Sequence, residues 1–240
     1  MNRLAHPAVR AALLAALTLA GTKNAAATFH EMQIEQVMGG YCGAVDQQAV
    51  QLRLRAPGEN MVSGKRLVAY DAAGQNGVTL ATLPSNVTNA AQGDHILVAT
   101  ASFASEQGIV PDFTLTTAIP PAYLEAGRIT WEDGLGTVYW SLAWGGTAYT
   151  GSTTGSTFND ADGDFGPPFG GVVPTSTGQV LRFQGAAGAL STSNSLDYAV
   201  DAGDATFVNN ARASAQVVPG CVFGDGFETG VASRWSVVSP

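Results

Sequence analysis

The run Asn159-Asp160-Ala161-Asp162-Gly163-Asp164 is the strongest candidate for chemistry in this chain. Asp160, Asp162 and Asp164 stand at alternate positions in a glycine-rich stretch. Carboxylates spaced in this way can converge on a hard cation, since Ca²⁺ takes about 6–8 oxygen ligands. The pattern is not an EF-hand loop, because Phe165 stands where that loop needs glycine and Gly171 where it needs glutamate. An ordinary acidic turn is the alternative. The aromatic residues offer a second candidate. Trp131 and Tyr149 could stack on a sugar ring, whereas Trp140 and Trp144 alternate with Val138 and Leu142 on one face and read as core. Covalent catalysis finds little to work with. There is no Gly-x-Ser-x-Gly elbow. His30-Glu31 is not followed by the second histidine of a zincin helix. Cys42 lies in Gly40-Tyr41-Cys42-Gly43, which lacks the setting of a thiol hydrolase. His95 reads as a solvated histidine, and Glu132 and Asp133 as the start of a turn. No cofactor is expected, Ca²⁺ apart.

These residues sit on a chain patterned for strands. Val50, Leu52 and Leu54 alternate with Gln51, Arg53 and Arg55, the mark of a half-buried strand. Met32 and Ile34 alternate in the same way. Further strands are predicted over 67–70, 78–82, 96–99, 128–131, 137–144, 179–183, 196–200 and 213–218, with one short helical turn over 103–108. Residues 145–171 are rich in Gly, Thr, Asn, Asp and Pro and form a long loop. A loop of that length without structure of its own is uncommon and often functional. Many short strands punctuated by turns predict an all-β sandwich with long loops.

The first residues have another purpose. Arg3 and Arg10 precede the apolar run Ala11 to Ala20, and Ala25, Ala26 and Ala27 supply small residues for cleavage after Ala27. Residues 1–27 therefore read as a signal peptide. The apolar run is about half the ~20 residues that a spanning helix needs. No transmembrane segment is expected after cleavage, and the product is expected to be secreted, periplasmic or held at the cell surface. Cleavage removes Arg3, Arg10 and Lys23 and no acid, so the net charge of -8 becomes -11. A surface of that sign argues against nucleic acid as a partner. In an oxidising compartment Cys42 and Cys221 can pair, contributing ~4–5 kcal/mol on the chain-entropy model. Two unpaired thiols are the alternative.

The order of short motifs resembles a lamin-tail domain, the immunoglobulin-like β-sandwich of nuclear lamins and of many secreted bacterial proteins. Ile34-Glu35-Gln36 stands at its first-strand motif and Gln51-Leu52 at its Glu-Leu pair. Val62, Ser63, Gly64 and Leu67 resemble its turn signature, although Lys65 replaces the signature tryptophan. Ile96 to Ala99 resembles a later strand, and Gly127 to Asp133 followed by Thr137 to Trp140 resembles the last pair. The likeness spans residues 29–144 and extends to a recurrent group of bacterial exported proteins. It implies a non-catalytic binding or scaffolding module within a sandwich over 28–218. Phe223, Asp225, Gly226, Phe227, Glu228, Gly230, Ser233 and Trp235 are similar to an ending found on diverse bacterial exported proteins. That likeness implies a sorting or surface-retention tag over 219–240; a final edge strand is the alternative. The expected partners are a cell-surface, matrix or glycan component. A carbohydrate- or Ca²⁺-binding adhesive domain built on loop 145–171 is a second reading, and a secreted hydrolase with dispersed carboxylates a distant third.

Overall fold

The computed structural model describes residues 28–217 apart from 177 and 202–204. Residues 1–27, which read as a signal peptide, and Cys221 and the C-terminal motif residues lie outside that range. The chain forms two stacked sheets. The first contains β1 (Met32–Met38), β2 (Ala49–Leu54), β5 (His95–Ala99), β6 (Phe113–Thr114), β9 (Leu181–Phe183) and β10 (Tyr198–Val200), in the order β10-β9-β1-β2-β5-β6. The second contains β3 (Arg66–Tyr70), β4 (Val78–Thr82), β7 (Gly127–Glu132) and β8 (Val138–Trp144), in the order β4-β3-β7-β8. All pairings in the two sheets are antiparallel except β5 with β6. The all-β sandwich expected from the sequence is the observed architecture.

Register explains the core. Across the first sheet Ile34 pairs with Leu52 and Leu52 with Ile96, while Val37 pairs with Val50 and Val50 with Val98. Across the second, Leu67 pairs with Trp131 and Trp131 with Trp140, while Ala69 pairs with Ile129 and Ile129 with Leu142. These rows face each other and are buried together. The period of two in the sequence selects this face, since a slip of one residue would turn every row to the other side. Gly127 permits a close approach here: a Cβ would meet Tyr123 O at 2.6 Å and Tyr70 O at 2.9 Å.

Strand β2 departs from its expected half-burial. Its polar face is covered by a third layer, built from α1 (Ala101–Gln107) and a hairpin of β11 (Ala205–Val208) and β12 (Ser214–Val217). Phe103 and Phe207 meet edge to face at 5.1 Å, above Met38, Ala49, Leu97 and Ala99. Gln51 and Gln36 are therefore buried and turned to backbone. Gln51 Oε1 accepts from Val208 N at 2.6 Å, and Gln36 Nε2 donates to Thr206 O at 2.8 Å. Helix α1 starts earlier than expected, because Thr100 Oγ1 accepts from Phe103 N at 3.2 Å and caps it. Residues 196 and 197 belong to a short helix, α2 (Asn194–Asp197), rather than to a strand, and Leu196 is 83% exposed. Glu132 does not begin a turn. It is the last residue of β7, 2% exposed, and its Oε1 accepts from Arg66 Nη2 at 2.7 Å.

Two pairings, β1 with β2 and β7 with β8, carry a bulge that matters below. In β1 Glu35 is the extra residue between Ile34 and Gln36. In β8 it is Tyr139, between Val138 and Trp140. A bulge re-aims the side chain it carries.

Leu52 lies in the centre of the core and Leu196 outside it. Leu52→Ala is expected to cost about 2–5 kcal/mol, and Leu196→Ala less than about 0.5 kcal/mol. Denaturant unfolding of the two variants checks the assignment of α2 and of the core face together.

Candidate functional site

The long connection after β8 is held by its acidic and amide residues. Asp160 is 1% exposed, and its Oδ2 accepts from Thr192 N at 2.6 Å and from Thr192 Oγ1 at 2.8 Å. Asp160 Oδ1 accepts from Asp162 N at 3.3 Å, Asp162 Oδ1 from Asp164 N at 2.9 Å, and Asp164 Oδ1 from Gly166 N at 3.0 Å. The three carboxylates thus close successive turns instead of converging on one point. The backbone N–H of Asp164 holds the Asp162 carboxyl below its ordinary value. Among the described residues no group of three His, Cys, Asp or Glu side chains is placed to hold a metal ion.

Asn159 and Arg55 complete the anchor. Asn159 Nδ2 donates to Tyr139 O at 2.8 Å and to His30 O at 2.5 Å. Arg55 Nη1 donates to Asn159 O at 2.6 Å and Oδ1 at 3.2 Å, its Nε to Ala187 O at 3.2 Å, and its Nη2 to Ala189 O. The guanidinium also lies 5.2 Å from the centroid of the Trp140 ring. Burial pushes the Arg55 pKa down, and Glu31 opposes the shift. Arginine keeps its charge in proteins regardless. Its planar fork can serve two loops at once, which the compact lysine head cannot do.

This anchor presents a patch of rings. Phe158, 51% exposed, stacks on His30 at 4.5 Å and 21°. His30 meets Tyr139 at 4.8 Å and Phe29 at 4.3 Å, and Phe29 meets Tyr139 edge-on at 5.1 Å. Lys65 Nζ sits 3.6 Å from the Phe29 ring centroid, a cation–π contact. Tyr139 Oη donates to Asp133 Oδ2 at 3.4 Å, and burial together with that carboxylate raises the phenol above its ordinary value. At the other end of β8 is a groove of about 780 Å³ whose lining includes Val45, Leu124, Glu125, Val172 and Val173.

The aromatic pair expected from the sequence is not the exposed one. Trp131 is 0% exposed and packs between the sheets, with Nε1 donating to Phe29 O at 3.0 Å. Tyr149 is 5% exposed, and its hydroxyl donates to Ser152 O at 2.8 Å. Neither ring offers a face to a ligand. Phe158, Phe29 and His30 were not singled out as a surface. A large apolar residue beside the Asn159-Asp160 anchor, inside an otherwise polar loop, is the sequence signal for it.

Comparisons with protein-family models, curated proteins and solved structures find no significant match. The site must therefore be read from its own geometry.

Two other expected residues have definite places. His95 is not merely solvated: its Nε2 lies 3.1 Å from Glu35 Oε2. Gln51 Nε2 donates to the same oxygen at 2.7 Å, and Arg53 stands 4.0 Å from the carboxylate. Burial alone would raise the Glu35 carboxyl; His95, Gln51 and Arg53 together bring it below the ordinary glutamate value. Cys42 has a positive φ of 52° and is disulfide-bonded; Cys221 lies outside the described residues.

Replacing Arg55 with methionine strips the carbonyls of Asn159, Ala187 and Ala189 of a shared donor. The expected cost is about 2–4 kcal/mol, with faster amide exchange confined to the segments around 156–163 and 186–190. Exchange read by mass spectrometry checks this; uniform loss of protection would contradict it. Acid unfolding tests Glu35. Its folded pKa lies below its unfolded one, so its contribution is complete above about pH 5 and is lost as pH falls through the folded value. Glu35→Gln is expected to flatten stability between about pH 5 and pH 3 relative to the parent.

Proposed function

We propose that this chain is an exported, non-catalytic β-sandwich module that acts by binding, with the rings of Phe158, His30 and Phe29 as its contact face and a neutral or weakly charged carbohydrate as its ligand class. The observation that carries the reading is Phe158, half exposed yet stacked on His30 and followed at once by the buried Asn159-Asp160 anchor. A platform fixed in this way loses little conformational freedom on binding. The C–H faces of a sugar ring complement the negative face of an aromatic ring. A patch of three rings matches a sugar in size, whereas stable protein partners bury ~1,200–2,000 Å² in total. The net charge of -8 disfavours polyanions.

The buried charged groups support a binding role over catalysis. Arg55, Asp160 and Glu132 spend their hydrogen bonds on backbone and neighbouring side chains of the fold. The lamin-tail resemblance points the same way. Export rests on the signal-like first residues and the bacterial ending, and it places the module outside the cytoplasm, at a cell surface or in a matrix. No helix among the described residues is long and apolar enough to cross a membrane.

The test is a glycan array probed with the exported protein. Phe158→Ala is expected to weaken binding at least about fivefold while the melting temperature stays within about 2 °C. Equal binding by the parent, Phe158→Ala and His30→Ala would remove this face from consideration. Binding to no glycan at all would remove the ligand class.

A further inference from the structure

Glu59 is a buried carboxylate without a cation. It is 6% exposed, and its Oε1 accepts from Thr28 Oγ1 while its Oε2 accepts from Glu31 N at 3.1 Å. The ion pairs among the described residues join other groups and leave Glu59 out. Buried carboxylates are ordinarily paired, since neutral hydrogen bonds offset desolvation only in part. The group that borders this one is the backbone of Thr28. Thr28 N donates to Gly58 O at 2.9 Å, and Thr28 O accepts from Met61 N at 3.0 Å. The nitrogen is therefore hydrogen-bonded to the residue that precedes Glu59, and the hydroxyl of the same threonine touches the carboxylate. Thr28 is also the residue that cleavage after Ala27 would leave first.

We propose that removal of residues 1–27 supplies the missing cation: Thr28 becomes the α-ammonium partner of Glu59, and processing completes a buried ion pair that locks the first strand entry. This rests on the export reading above. The step is hydrolysis of the Ala27–Thr28 amide by an export-linked endopeptidase. Water gives its hydroxyl to the Ala27 carbonyl carbon, which departs as a carboxylic acid and ionises. The Thr28 nitrogen keeps its proton, takes one from that water and a second from solvent. An amide N–H has one hydrogen, already given to Gly58 O. An ammonium has three, so it keeps that bond and has two more to offer the Glu59 carboxylate. The α-amino group has an ordinary pKa of about 7.7–8.0 and is charged at neutral pH. The lock acts directly on the aromatic face, since Phe29 and His30 follow Thr28. Their carbonyls are fixed in turn by Trp131 Nε1 at 3.0 Å and Asn159 Nδ2 at 2.5 Å.

The exported protein is purified and weighed intact, and its melting temperature is compared with two variants. One carries Gly-Ser inserted between Ala27 and Thr28, which leaves a two-residue extension after the same cleavage. The other is Glu59→Gln. The parent is expected to begin at Thr28, and the extension to lower the melting temperature by about 2–4 °C. In the Glu59→Gln background the extension is expected to add nothing, because the amine has lost its partner. A parent beginning at Thr28 whose extended form melts at the same temperature would overturn the ion pair and leave export standing. Equal losses from the extension in both backgrounds would overturn it as well. An exported product with its first residue elsewhere overturns the proposal, and a product that retains residues 1–27 inside the cell defeats export too. Should Glu59→Gln fail to fold, selective acylation of the α-amine on the parent replaces it; an unchanged melting temperature then counts against the pair.

Discussion

The free edge of β8 is the constraint around which the rest is arranged. As the outer strand of the four-stranded sheet it has one side of its backbone without a partner strand, and such an edge invites pairing with another chain. Here the long connection supplies the partners one by one. Ser156 N donates to Val138 O at 2.7 Å, Asn159 Nδ2 to Tyr139 O at 2.8 Å, and Phe169 N to Ala143 O at 2.9 Å. The Asn194 carboxamide takes two more groups, Ser141 O at 3.0 Å and Ala143 N at 3.1 Å. An irregular segment thereby performs the office of a strand. The arrangement holds only if the segment is pinned elsewhere, which is what Asp160 and Arg55 do. A buried carboxylate closing on Thr192 and a buried guanidinium closing on three carbonyls are costly groups to desolvate. Removing either partner would leave polar atoms stranded, so these contacts specify one loop path among many.

What the sequence made legible follows from this. Alternation gave the strands whose inner faces form the core, because a period of two needs only local information. Leu52 and Trp140, both 0% exposed, sit where that period placed them. Burial of the polar face of β2 was not legible. Gln51 read as solvent-facing because polar residues usually are, whereas the hairpin that covers it and Gln36 comes from residues more than 150 positions further along. The same limit explains Trp131 and Tyr149. Residue type marked them as platform candidates, but exposure is a property of what packs above a ring, and only coordinates report it. Asp160 shows the converse. Its spacing with Asp162 and Asp164 suggested convergence on a cation, and the glycine-rich context instead let each carboxylate turn to the amide two residues on, the usual habit of aspartate in loops.

The two bulges connect the sheets to the surface. Without the extra residue in β8, Tyr139 would alternate with Trp140 and face away from the aromatic group. With it, the ring turns into contact with Phe29 and His30, and the strand still returns to register at Val138 and Glu132. The bulge in β1 does the same for Glu35, which leaves the ladder and collects Gln51 and His95 from the next two strands of its own sheet. Glu35 and Tyr139 are thus each withdrawn from backbone pairing and committed to a side-chain cluster. The Glu35 cluster is a titrating group whose effect is on acid stability. The Tyr139 cluster is a set of ring contacts with Phe29, His30 and Phe158.

A contact surface of this kind depends on its floor more than on its exposed ring. Phe158 alone, on a free loop, would have to be ordered by its ligand, and that ordering entropy would be taken from the binding energy. Here three segments far apart in the chain meet beneath it: the entry to β1 through His30, the bulge of β8 through Tyr139, and the anchored loop through Asn159. The single Asn159 carboxamide joins all three, donating to His30 O and Tyr139 O while its oxygen accepts from Arg55. The ring is held by the same hydrogen bonds that seal the β8 edge. Edge protection and the fixing of the aromatic group are therefore one interaction, and a change that loosens the first must also loosen the second.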